Sequence, residues 1–141
     1  MTHGDLVERA VRWLAKSCGC QVIVTQKDVT ASEEPDAIGW KASGASYLIE
    51  CKVSRADFLR DAKKLPRQFP TFGLGNCRYY LTPPGMIGVE ELPAGWGLLE
   101  CSPRGLRKKR EAVWQPEKNR DGELRLLLAQ IRRRGKEPTG C

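Results

Sequence analysis

The chain has 141 residues, 40% of them hydrophobic and 29% charged, with 24 basic and 17 acidic side chains giving a formal net charge of +7. That length and composition suit one soluble domain with a single core, here taken as residues 1–141, and exclude a collagen-like, low-complexity or disordered chain. No uncharged run approaches the roughly 20 residues that a membrane-spanning helix needs, so no membrane partner is expected.

The first predicted element is a helix over 6–17. Leu6, Val7, Ala10, Val11 and Leu14 form its apolar stripe, and Glu8 stands on the flank of that stripe as a surface acid would. Asp5, Glu8, Arg9, Arg12 and Lys16 leave it no apolar signal core, so a cytoplasmic location is expected. His3, near the terminus, offers no case for catalysis from its position. Gly19 closes the helix. A strand follows over 21–25, then a polar loop over 31–34 that leads to Pro35.

Residues 35–52 read Pro-Asp-Ala-Ile-Gly-Trp-Lys-Ala-Ser-Gly-Ala-Ser-Tyr-Leu-Ile-Glu-Cys-Lys. This is a β-hairpin whose second strand places Glu50 and Lys52 on one face, because side chains alternate with a period of two. A three-residue turn at Ala42, Ser43 and Gly44 would pair Lys41 with Ala45 and set Asp36 opposite Glu50. A two-residue turn would send Asp36 to the other face. Gly44 occupies the left-handed position that the three-residue turn favours. Directly opposed residues have Cβ atoms about 4.5–5.5 Å apart, close enough for both carboxylates to share a divalent cation. Glu-x-Lys is common on solvated strands, but here Leu48, Ile49, Cys51, Val53, Ile38 and Trp40 surround the charges. Such a strand is covered on both faces, and charges inside it need partners or a metal.

Ser54-Arg-Ala-Asp57 has the capping-box pattern and opens a second helix that Pro66 stops. Its predicted buried face is Phe58, Leu59, Ala62 and Leu65, with Asp57, Asp61 and Lys64 on the polar side. A strand is expected over 76–82, another over 96–101, and an edge strand or basic flap over 107–114. The last helix is placed at 122–134, with Leu124, Leu127, Leu128 and Ile131 at helical spacing, followed by a loose tail at 135–141. Twelve basic against four acidic residues lie between Arg104 and Lys136, an asymmetry that points to a polyanionic partner. The six cysteines lack CxxC spacing and His partners. They are expected to be reduced, with Cys51, Cys77 and Cys101 as small buried hydrophobes.

Pro-Asp, thirteen residues, then Glu-x-Lys resembles the signature of the PD-(D/E)XK nuclease superfamily. Ser54-Arg-Ala-Asp-Phe-Leu-Arg-Asp-Ala-Lys63, Cys77-Arg-Tyr-Tyr-Leu-Thr-Pro83 and Gly97-Leu-Leu-Glu100 follow in an order that resembles its MmcB-like DNA-repair branch, although that pattern has an acid where this chain has Arg78. The first helix and strand resemble the opening of archaeal Holliday junction resolvases, which place a catalytic Glu where Glu8 stands. The resemblance covers roughly residues 4 to 113. It implies a restriction-endonuclease-like α/β (α+β) fold, a mixed β-sheet flanked by helices.

What it further implies is a metal-dependent DNA endonuclease of DNA repair, recombination or phage DNA processing. Glu8, Asp36, Glu50 and Lys52 would be catalytic. Asp36, Glu50 and the backbone carbonyl of Cys51 would hold Mg²⁺, with Mn²⁺ as a substitute. Lys63, Lys64, Arg67, Lys108, Lys109 and Arg110 are the candidate DNA contacts, and branched or single-stranded DNA the candidate substrate. Symmetric junction cleavage would need two sites, hence a homodimer. The alternatives are a non-catalytic nucleic-acid-binding module on a nuclease scaffold and an interaction subunit that docks through the Leu-rich last helix.

Overall fold

The computed structural model describes residues 1–25 and 35–135. The expected polar loop at 31–34 lies outside the described residues, as does the expected tail apart from Gly135. Among the described residues a six-stranded mixed sheet is flanked by four helices and does not close into a barrel. Its strands are β1 (Val22–Thr25), β2 (Ala37–Trp40), β3 (Ser46–Cys51), β4 (Cys77–Thr82), β5 (Gly97–Ser102) and β6 (Gly105–Arg110), and their spatial order follows the chain. β3, β4 and β5 run parallel, while β1, β2 and β6 run antiparallel to their neighbours. Among the described residues no helix is long and apolar enough to cross a membrane.

Each face of the sheet buries its own apolar layer, as the run of hydrophobic residues in β3 and β4 requires. On one face lies α1 (His3–Lys16), whose Leu6, Ala10 and Leu14 pack on Ala37, Ile49, Cys51, Tyr79 and Leu81. α1 starts three residues before the expected helix, because Thr2 and Asp5 form a capping box that the Thr-x-x-Asp spacing already spells. On the other face Phe58 of α2 (Arg55–Ala62) and Leu126 of α4 (Arg120–Gly135) join Ile38, Trp40, Leu48, Tyr80, Trp96 and Leu98. The five cysteines among the described residues are free, and Cys20, Cys51, Cys77 and Cys101 are buried. Burial pushes the Cys18 thiol up to about 12, which makes it a poor nucleophile.

Two helices differ from expectation. α2 ends at Ala62, and Pro66 sits in the first turn of a further short helix, α3 (Leu65–Gln68), where its missing N–H costs nothing. Leu59 and Leu65, expected in the core, are 43% and 58% exposed. In α4 the buried side is Glu123 and Leu126 with Leu127 half-buried, whereas Leu124, Leu128 and Ile131 are exposed. The physical reason is a buried polar cluster. Glu123 accepts hydrogen bonds from Trp40 Nε1 (2.9 Å), Ser46 Oγ (2.8 Å), the Gly75 N–H (2.8 Å) and Lys118 Nζ (2.9 Å). Those bonds select the face of α4 that turns inward. Arg78 also serves the architecture. It is fully buried and donates to the carbonyls of Pro70, Gly73 and Gly75.

The Lys118 side chain is 3% exposed, so removing its carboxylate partner strands a buried charge. Glu123→Ala is expected to lose about 3–5 kcal/mol of stability. The urea midpoint should fall by on the order of 2 M; a fall of a few tenths would show that Lys118 escapes to water.

Candidate active site

The β2–β3 hairpin turns in three residues. The Gly44 N–H donates to the Lys41 carbonyl and the Lys41 N–H to the Ala45 carbonyl, both at 2.9 Å, with Gly44 at φ +91°. Ala37 pairs with Ile49, so the next pair along is Asp36 with Glu50. Both are in phase with Ile38, Trp40 and Leu48, which point into the α2–α4 layer. The three-residue turn and the shared face expected from the sequence are therefore present. The pair lies at the carboxyl ends of the parallel strands, where open α/β sheets bind ligands.

Both carboxylates are buried. Asp36 Oδ2 accepts the Cys51 N–H at 2.8 Å, which ties the start of β2 to the end of β3. Burial, and then the charge of Asp36, raise the Glu50 carboxyl well above its usual range; Arg67 and Lys52 only partly offset this. A buried acid beside a second acid is short of positive charge, and a divalent cation would supply it. Among the described residues no set of three or more His, Cys, Asp and Glu side chains is gathered to hold a metal. The two carboxylates are hard oxygen donors of the kind that could hold Mg²⁺, which keeps much of its water.

Lys52 continues the β3 ladder through its N–H to the Leu81 carbonyl (3.0 Å) and holds its ammonium 3.5 Å from Asp61 Oδ1. Asp61, placed on the polar side of its helix by sequence reasoning, is in fact 1% exposed and central. Its carboxylate also meets Lys64 Nζ (3.1 Å), Arg67 Nε (3.0 Å) and the Tyr80 hydroxyl. Burial pushes this carboxyl up, but Arg67, the Tyr80 hydrogen bond and Lys52 outweigh it and hold it at about 2. Asp57 has its N–H on Ser54 Oγ, the N-cap half of the capping box, while its carboxylate pairs with Arg60.

Arg67 was expected on phosphate and is instead buried at 7% exposure. The chain is extended at Lys64, between α2 and α3, and α3 carries Arg67 back over the sheet. There its guanidinium lies 3.5 Å from Glu50 Oε1 and stacks 4.8 Å from the Trp96 ring centroid. His3, set aside on the sequence, stands with Nε2 3.2 Å from Asp36 Oδ1 because the Thr2 cap holds the first turn of α1 beside the site. A cavity of about 440 Å³ opens there, lined by His3, Asp36, Cys51, Lys52, Asp61 and Lys64 among others. Glu8 does not line it. It is exposed and borders a neighbouring hollow that shares His3 with this cavity and is also lined by Arg12 and Thr25.

Lys63 and Lys64 are exposed beside the cavity. Lys108, Lys109 and Arg110 lie on the exposed edge strand β6 and do not form one basic face. Lys108 meets Glu111 (3.4 Å), Lys109 meets Glu100 (3.5 Å), and Arg110 donates to the Val89 carbonyl (3.2 Å). Charges on an edge strand also prevent sheet-to-sheet association, which accounts for part of this basic run without a ligand.

No protein-family model matches this chain, and no curated protein matches it. A solved structure of SPO1766, a protein of unknown function from Silicibacter pomeroyi, is similar to it, with a TM-score of 0.65 and 25% sequence identity over 100% of this chain and 96% of that one. The likeness extends the architecture to that protein and assigns no activity to either.

Because its pKa is raised in the fold, Glu50 stabilises the native state when protonated. That contribution is complete below the ordinary value of 4.5 and is lost as pH rises through the raised value. Glu50→Gln is therefore expected to melt a few °C higher than the parent at pH 8 in chelator. The gap should close below pH 4.5. Equal melting temperatures at pH 8 would mean that Arg67 already compensates the buried charge in full.

Proposed function

We propose that this protein is a Mg²⁺-dependent deoxyribonuclease that hydrolyses phosphodiester bonds at Asp36, Glu50 and Lys52. The observation that carries the reading is the register that sets Asp36 against Glu50, with Lys52 on the same face and with Asp36 and Lys52 both lining one cavity. Asp36, Glu50 and the Cys51 carbonyl are the oxygen donors that would hold Mg²⁺. Bound there, Mg²⁺ supplies Lewis-acid polarisation of the phosphoryl oxygen and a bound water of lowered pKa. Lys52, anchored by Asp61, stabilises the negative charge that grows on the phosphoryl oxygens. Lys64, on the same cavity wall, and the neighbouring Lys63 offer contacts to flanking phosphates. Glu8 would act only through water or a second ion.

The ion pair between Arg67 and Glu50 favours a second reading, a nucleic-acid-binding module in which an internal cation takes the place of the metal. Incubation with a panel of labelled linear, nicked, flapped, single-stranded and branched DNAs, in Mg²⁺, in Mn²⁺ and in chelator, separates the two. Cleavage is expected with either metal and not in chelator. Binding without cleavage under every condition would favour the second reading.

Asp36→Asn and Glu50→Gln should abolish cleavage, with partial rescue by excess Mn²⁺. Lys52→Ala should slow it roughly 10²–10³-fold without rescue by metal. DNA affinity in chelator should change little for all three. Cleavage by Asp36→Asn/Lys52→Ala at the parent rate would sink the assignment. Neutralising Lys108, Lys109 and Arg110 together should flatten the log–log salt dependence of DNA binding by up to about three units. An unchanged slope would leave β6 as a protected sheet edge.

A further inference from the structure

Arg67 is shared between two acids with different surroundings. Toward Asp61 it makes two hydrogen bonds, Nε to Oδ2 at 3.0 Å and Nη2 to Oδ1 at 3.3 Å. Toward Glu50 it makes one longer ion pair, Nη2 to Oε1 at 3.5 Å. Its side chain is 4% exposed and its guanidinium is stacked over Trp96, which in turn stacks on Tyr80 with centroids 4.5 Å apart. A guanidinium enclosed in this way cannot leave for solvent when a neighbouring charge changes. It can only redistribute between its partners.

We infer that Asp61 sets how tightly the Asp36–Glu50 pair holds a divalent cation, by keeping the Arg67 guanidinium drawn away from Glu50; this rests on the metal-site reading above. Asp61 is then a positioning residue and not a ligand. With its charge present, Arg67 has a paired, forked partner, the stronger kind of charge-assisted bond, and Glu50 keeps lone pairs for a cation. Without that charge, Glu50 becomes the stronger anion beside Arg67. An arriving cation must then displace a buried ion pair. Lys52 and Lys64 also bear on Asp61, but they are common to every variant below.

The test is Mn²⁺ binding in the absence of DNA, followed by the electron paramagnetic resonance signal of free Mn²⁺. The parent is compared with Asp61→Asn, Arg67→Gln and the double variant, each checked for folding by circular dichroism. Asp61→Asn is expected to bind Mn²⁺ about 10–100-fold more weakly, the range for partners of metal-ligating carboxylates. The double variant should recover at least tenfold of that loss, which a merely structural role for Asp61 would not produce. Arg67→Gln alone should bind several-fold more tightly than the parent, and this arm decides the matter if Asp61→Asn does not fold. Asp61→Asn within twofold of the parent, a double variant no tighter than Asp61→Asn, or weakened binding by Arg67→Gln would each overturn the inference and leave the metal site standing. Absence of Mn²⁺ binding by the parent itself would overturn the metal site and this inference with it.

Discussion

Between Lys41 and Ala45 the chain reverses in three residues, and Gly44 supplies the left-handed backbone that this turn needs. A turn shorter by one residue would move every side chain of β2 to the opposite face. Asp36 would then point into the α1 layer, Ile38 and Trp40 would leave theirs, and Glu50 would stand alone. The apolar packing and the carboxylate pair thus answer to the same constraint. Trp40 makes this concrete. Its indole must face the α4 side to donate to Glu123, and that orientation obliges Asp36, four residues earlier, to share the face of Glu50.

Around that pair the fold accumulates buried charge. Asp36, Glu50, Asp61 and Arg67 are each under a tenth exposed. Replacing such a group by packed hydrophobic side chains is often neutral or stabilising, so buried charge alone is weak evidence of stabilisation. The Lys118–Glu123 cluster at the other end of the hairpin is different. Its donors and acceptors are paired with one another, and it selects which face of α4 packs. One polar cluster specifies structure, and the other borders a cavity, with burial and Asp36 disfavouring the charged form of Glu50.

Much of this was legible in the sequence because it rests on local chemistry. The turn at Gly44, the stripe of α1, the strand runs around Ile49 and Tyr80, and the pairing of Asp36 with Glu50 follow from periodicity and turn residues. Asp61 and Arg67 were not legible as partners. They stand on different helices, and their meeting depends on the break at the extended Lys64 between α2 and α3, which no period encodes. His3 was missed for a related reason: its place beside Asp36 comes from the docking of α1, although the Thr2–Asp5 cap marked the true start of that helix. In α4 the leucines misled, because Glu123, a charged residue, occupies the inward position and Leu126, out of phase with the apparent stripe, fills the core.

The Lys118 ammonium also donates to the Gly44 carbonyl at 3.2 Å, so the hairpin turn is fastened by a residue 74 positions further along the chain. Contacts of such sequence separation form late and slow folding, since the long loop must close before they contribute. During synthesis the carboxylates and lysine of the hairpin emerge first. The turn that fixes their register lacks this fastening until residue 118 has left the ribosome, and the Trp40 and Ser46 bonds to α4 wait for residue 123. The nascent chain therefore carries the complete set of site residues well before it carries their final support.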